Sequence, residues 1–280
     1  MKRLVFGLIC CMAALSIAMS ALEAEVEANF GEPWARWLPH DETSMRKIDH
    51  GPWERFLLRY LRRGADGVHR LAYGRVTDAS RRALDAYLER LSAIDIARYN
   101  RHEQMAFWIN LYNVLTVNLI LDNYPIASVR DLLDPATGRN GGPWRKKLIS
   151  VDQVPLSLTD IEERILKPIW RDPRINYAIT CAAIGCPNLQ PEPFVGERLE
   201  QQLSDAAMAY INDPRCITIE NDQLRVSSLY RWNIDDFGGS ELEVIHHLMA
   251  YAKPSLAMAL QGFERFDGDG FDWRLNDAFE

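Results

Sequence analysis

Cysteine is scarce in this 280-residue chain and unevenly placed. Of five cysteines, Cys10 and Cys11 lie in the first apolar stretch, which leaves Cys181, Cys186 and Cys216. That number argues against a disulfide scaffold, and no Cys-x-x-Cys occurs, so a dedicated dithiol oxidoreductase or a paired-cysteine zinc site is not expected. The absence of His-Glu-x-x-His excludes the common zinc-protease motif. Positive charge is in deficit: 32 Lys and Arg face 39 Asp and Glu, a net charge of −7. Arg59, Arg62 and Arg63 form a cluster too small for a basic patch, so nucleic acid is not an expected partner. Beyond the N-terminal stretch no run reads as a bilayer span. Neither an internal repeat nor a low-complexity tail is present.

The N-terminus is different. Lys2 and Arg3 precede an apolar run from Leu4 to Ala18, and small residues follow at Ser20, Ala21 and Ala24. This order is that of a secretory signal peptide over residues 1–24, with cleavage after Ala21 or, preferably, Ala24. Ile9 before Cys10, and Cys10 before Cys11, do not suit lipidation. The expected protein is exported and soluble, periplasmic or secreted, with no membrane span after signal cleavage. Residues 25–77 read as an N-terminal extension packed on the core, and residues 78–280 as one domain. About 255 residues remain, enough to bury a core without staples. The three remaining cysteines leave one unpaired; Cys216, in CITIE, reads as a small buried hydrophobe.

Phe56 to Arg63 reads as a short helix or strand. Asp78 is the expected N-cap of a helix with an apolar face through Leu84, Tyr87, Leu88 and Leu91. Residues 103–123 are apolar almost all round and belong at the centre of a domain. Asn110 and Asn113 share one face of that helix. They either tie it to neighbouring backbone or line a pocket. Residues 134–147 are a Gly/Pro-rich loop with a basic end. Thr159 and Glu162 have capping-box spacing ahead of a helix whose end region Pro168 marks. Glu197 to Asn212 is amphipathic. CITIENDQLRVSS reads as a hairpin about Asn221 and Asp222. Ser240 is placed to cap a late helix. Asp267 and Asp269 begin like a calcium loop, but Phe271 and Ala278 stand where oxygen ligands are needed, so the segment reads as a polar turn.

The stretch RINYAITCAAIGCPNLQPEPF, residues 174–194, holds most of the chemistry. Ile175, Tyr177, Ile179 and Cys181 alternate with other residues, which predicts a strand ending in a loop that holds Cys181 and Cys186. Such a loop is where sites are commonly built. AFWINLYN, SLTDIEERIL, DPRINYAITCAAIGCPNL, GERLEQQL, VSSLYRWNIDDFGG and FDWRLN follow in one order. In this the chain resembles the domain-of-unknown-function 547 family from about residue 85 to 275. The resemblance implies no established activity. It does imply two departures, because members commonly carry histidine where this chain has Asn176, and many carry one where it has Glu163.

These readings predict a mainly helical single α+β domain with a small antiparallel or mixed sheet around residues 174–181 and 216–228. Papain and transglutaminase serve as fold-level analogies only. The expected site is a cleft around the Cys181/Cys186 loop. It holds a small molecule or an envelope protein in a binding module or a lapsed enzyme, with binding residues Asn110, Asn113, Cys186 and Trp232. The alternative is a thiol hydrolase or acyltransferase acting on an amide or ester. There Cys181 is the nucleophile, and Glu162 or Asn113 orients a base. A third reading has Cys181 and Cys186 paired as a staple or cycling in redox chemistry. No cofactor or metal is called for.

Overall fold

The computed structural model describes residues 33–132 and 142–278. The expected signal segment, with Cys10, Cys11, Ala21 and Ala24, and residues 133–141 of the Gly/Pro-rich loop lie outside the described residues. Helix α1 (Gly51–Tyr60) runs directly into strand β1 (Leu61–Arg63), so FLLRYLRR is half helix and half strand. Strand β1 pairs antiparallel with β2 (His69–Leu71). Helix α2 (Asp78–Ser92) is capped by Thr77 rather than Asp78: the Ser80 N–H donates to the Thr77 hydroxyl. Asp78 instead sits in the first turn, where its carboxylate complements the helix dipole.

Helix α3 (Arg101–Asn123) is the centre of the molecule. Asn100 caps it by accepting the Glu103 N–H, and residues 103–117 are buried without a break. By length and apolarity it could cross a bilayer, but its most apolar window is 89% buried inside the protein. Trp37, Trp53, Phe56 and Tyr60 from the N-terminal region share its core with Trp108, Leu111, Ile161 and Ile165. A second core gathers Tyr177, Tyr210, Tyr230, Phe237 and Leu248.

A short hairpin, β3 (Ile149–Val151) with β4 (Val154–Leu156), leads into the next helix. The capping box is Ser157 with Asp160, not Thr159 with Glu162. The Ser157 N–H donates to Asp160 Oδ2 at 2.8 Å, and the Asp160 N–H donates to Ser157 Oγ at 3.1 Å. Thr159 donates instead to the Trp144 carbonyl. The helix then widens into a π-helix, Asp160–Leu166, and returns to one α-helical turn, α4 (Lys167–Trp170). Pro168 has no N–H for the carbonyl four residues back, and a wide turn relieves the clash with that carbonyl. That carbonyl, on Arg164, accepts the Trp34 N–H at 3.1 Å.

The expected strand at 174–181 is corrected. Residues Ile175–Ala178 form a single helical turn, α5. Asp172 accepts the Arg174 N–H at 2.9 Å and Pro173 fixes φ, which starts a turn rather than an extended run. The alternation carried no information because Ile175, Asn176, Tyr177 and Ala178 are all buried, with Ile175 and Ala178 in the first core and Tyr177 in the second. The sheet forms elsewhere. After helix α6 (Leu199–Ile211), β5 (Ile217–Glu220) and β6 (Gln223–Ser227) make the expected hairpin. Its turn residues Asn221 and Asp222 both have positive φ, 51° and 60°, as a two-residue hairpin of this hand requires. Helices α7 (Ser228–Trp232), α8 (Glu241–Tyr251) and α9 (Pro254–Leu260) follow, and Ser240 caps α8 as expected. Strand β7 (Gly268–Gly270) then joins β6 in parallel, so the three-stranded sheet is mixed and the expected polar turn is in part a strand. Asp267 accepts the Leu224 N–H and Asp269 accepts from Ser228 and Arg231. The architecture is the expected mainly helical α+β one with small sheets.

Two side chains of α3 fix the cysteine segment. Asn113 donates to the Ala178 carbonyl and accepts the Thr180 N–H, both at 2.9 Å. Asn110 donates to the Phe194 carbonyl at 2.7 Å and accepts the Phe194 N–H at 3.0 Å. Of the two alternatives, both residues take the tie to backbone: each buried amide donates one hydrogen bond to main chain and accepts one from it. Asn113→Ala leaves a buried carbonyl and a buried N–H unpaired. It is expected to lower the unfolding free energy in urea by about 2–4 kcal/mol, and a loss below about 1 kcal/mol contradicts this assignment.

Candidate functional site

The π-helical register places three charges together. In an α-helix a lysine reaches the residue four before it, whereas here the Lys167 backbone N–H bonds to the Glu162 carbonyl five residues back. Both Glu162 and Glu163 then lie under the Lys167 side chain, each 2.9 Å from Nζ. Asp236 reaches the same nitrogen at 3.2 Å, from the turn that follows α7. Asn233 Oδ1 accepts from it at 2.9 Å. Asn176 Nδ2 donates to Asp236 Oδ2 at 3.0 Å, and Tyr112 donates to Glu162 Oε2 at 3.1 Å.

Electrostatics follow from this crowding. The Lys167 side chain is only 10% exposed. Burial alone would push its ammonium down, but Glu162, Glu163 and Asp236 hold it well above its ordinary range. Glu163 carries the cost. Burial, and then the adjacent Glu162 charge, push its carboxyl up to about 6 despite Lys167.

This cluster lies in a cleft of about 890 Å³, a size that suits a small molecule. Glu162, Glu163, Asp172, Asp235 and Asp236 line it against Lys167, Arg145 and Arg171, so its charge balance is acidic. One wall is aromatic. Trp232, Phe271 and Trp273 pack with ring centroids 4.8–5.4 Å apart, and the Arg130 guanidinium lies 5.0 Å from the Trp273 ring centre. Trp232 remains 37% exposed.

The cysteines lie beside this wall: a Cβ on Gly185, between them, would lie 3.1 Å from the Phe271 ring. Cys181 and Cys186 form a disulfide, and both residues line the cleft. Their loop is held by the C-terminal segment. The Ile184 and Gly185 N–H groups donate to the Arg274 and Asp272 carbonyls, both at 2.8 Å, and the Asn276 N–H donates to the Ala182 carbonyl at 2.9 Å. Residue 185 is glycine for a steric reason: a Cβ there would lie 2.8 Å from the Asp272 nitrogen. Arg215 donates to the Ile184 and Cys186 carbonyls and Tyr210 to the Gly185 carbonyl.

Of the residues singled out in the sequence, Glu162, Cys181, Cys186 and Trp232 line this cleft, whereas Asn110 and Asn113 lie behind it. With its sulfur in the disulfide, Cys181 has no thiol to act as a nucleophile. None of His40, His50, His69, His102, His246 and His247 lines the cleft. His50 is buried against Tyr87, and His69 bonds the Leu189 carbonyl. Cys216 is buried beside the Tyr230 hydroxyl, as expected. Lys167 and Asp236 were missed. Pro168 directly after a lysine that follows two glutamates was the available signal for Lys167, whereas nothing local links residue 236 to residue 167.

Residues 96–211 match the family model described as protein of unknown function, DUF547, so the resemblance expected from the motifs is found over that stretch. No curated protein and no solved structure matches the chain. Asn176 and Glu163, the positions where the resemblance implies histidine, are joined in space through Asp236 and Lys167.

Glu163 yields a pH prediction. Its folded carboxyl titrates above its ordinary range, so between that range and about pH 6 the folded protein binds more protons than the unfolded chain. The stability it contributes is full below the ordinary carboxyl range and is lost as pH rises through about 6. Urea midpoints should show the wild type losing stability relative to Glu163→Gln across that interval. Parallel profiles contradict the shift.

Proposed function

We propose that this chain is an exported binding module, a lapsed relative of an enzyme, whose cleft holds a small molecule. That ligand carries amine or hydroxyl groups beside a flat apolar face. The observation that carries the reading is the convergence of Glu162, Glu163 and Asp236 on Lys167 in the cleft that Trp232, Phe271 and Trp273 also line. Fixed carboxylates and asparagines supply directional hydrogen bonds, and exposed aromatic faces take up flat apolar surfaces or cations. Asn176 and Glu163 meeting at this point support its being the position of the site in relatives, with a different side-chain set here. The disulfide supports export, since such bonds persist in oxidising compartments.

A hydrolase or acyltransferase with Cys181 as nucleophile needs a free thiol and a base. The disulfide leaves no free thiol at Cys181, and no histidine lines the cleft to act as that base.

The test is a panel of glucosamine, glucose, simple primary amines and aromatic amines, read by thermal unfolding and tryptophan fluorescence. At least one amine-bearing compound should raise the unfolding midpoint in a concentration-dependent way. Trp232→Ala should weaken that binding roughly tenfold, read as a smaller ligand-induced rise over the variant's own free midpoint, since the ring also packs on Phe271 and Trp273. A panel without stabilisation, or stabilisation indifferent to Trp232, contradicts the reading.

A further inference from the structure

The Cys181–Cys186 bond is poorly explained as a staple. It closes a ring of sequence separation 5, and short rings contribute the least loop-closure entropy. The loop is already tied without it: Asn113 holds residues 178 and 180, the C-terminal segment holds 182, 184 and 185, and Arg215 holds 184 and 186. None of these contacts uses a sulfur atom. Between the cysteines, Ala182 is buried with φ at +61°, a backbone conformation that non-glycine residues adopt at a cost and that gathers at working sites.

The two sulfurs are not equivalent. Cys186 is 2% exposed, and the Ala183 N–H points at its sulfur at 3.4 Å. Cys181 is partly exposed on the cleft side. A donor aimed at one sulfur stabilises negative charge there, which makes that sulfur the better leaving group. The open sulfur is the one an incoming group can reach.

We propose that the cleft supports thiol–disulfide exchange, with Cys181 as the attacked sulfur, Cys186 as the leaving sulfur and a small cationic thiol as the substrate class. In the first step the thiolate of the incoming molecule bonds to Cys181 Sγ. The Cys181–Cys186 bond breaks, and its electron pair leaves on Cys186 Sγ, where the Ala183 N–H receives it. A second thiolate then attacks the sulfur of the first molecule in the mixed disulfide and expels Cys181 as thiolate. Two thiols are oxidised to one disulfide, and the protein disulfide is reduced to two thiols. The preference for cationic thiols comes from the carboxylates of the lining, which outnumber its cations even with Asp172 paired to Arg174, a balance that attracts positive charge at low salt. This activity does not require the ligand reading of the same cleft, and either can fail alone.

The experiment uses the oxidised protein with cysteamine or glutathione at matched thiolate concentration, quenched by acid and read by mass spectrometry. Cysteamine should open the native disulfide at least as fast as it opens the same bond in urea. It should outpace glutathione several-fold at low salt, and the gap should shrink as salt is added. In the variants, Cys186→Ser should take a cystamine-derived cap at Cys181 at least tenfold faster than Cys181→Ser takes one at Cys186. Buried Cys216 serves as the internal unreactive thiol. A native disulfide that opens only on unfolding overturns the proposal, and so do equal rates at the two cysteines. If a variant does not fold, the native-against-urea comparison on the wild type decides alone.

Discussion

A proline inside a helix sets the geometry of the cleft. Pro168 cannot offer an N–H to Arg164, and the helix before it widens to a π register. That register brings Glu162 and Glu163 under one ammonium, which a regular α-helix does not do for residues four and five positions back at once. The released Arg164 carbonyl is not wasted, since the Trp34 N–H occupies it and draws the N-terminal region onto the core. One missing hydrogen-bond donor thus accounts for a wide turn, a long-range backbone contact and a charge cluster.

The cluster faces a loop built by different means. Asn110 and Asn113, three apart on α3, clamp backbone on either side of the cysteines. The C-terminal segment pairs with residues between the cysteines and carries Phe271 and Trp273 into the wall of the cleft. Four segments distant in sequence therefore meet at the site: the π-helix, the cysteine loop, the turn after α7 and the C-terminal segment. Each is fixed by buried polar contacts whose loss costs more than their formation contributes.

Legibility in the sequence divided along the same lines. The central helix was plain, because residues 103–123, apolar almost all round, have no other place to go. The hairpin about Asn221 and Asp222 was plain, because its turn chemistry is local. The buried Cys216 was legible from its place in the short strand CITIE, since cysteine in such a strand behaves as a small hydrophobe. Residues 174–181 misled, because alternation reports a strand only when one face meets water, and this turn is buried between two cores. The capping box slipped by two residues: Thr159 and Glu162 have the right spacing, and so do Ser157 and Asp160, which spacing alone cannot rank. Asp236 was illegible in principle, since its meeting with Lys167 depends on how the second core packs. Glu162, Cys181, Cys186 and Trp232 stand out in the sequence and line the cleft, while Lys167 and Asp236 do not stand out.

Lys167 is the fixed cation on which the cleft is organised. The most direct test is the protonation of its side-chain nitrogen in the folded protein, followed by NMR of ¹⁵N-lysine-labelled material with Lys167→Arg as the assignment control. The account predicts that Nζ remains fully charged at a pH of about 10.4, where an ordinary lysine is half neutral. It also predicts that replacing Asp236 by Asn brings the titration back toward that value. A Lys167 that titrates at or below the ordinary lysine range would contradict the account.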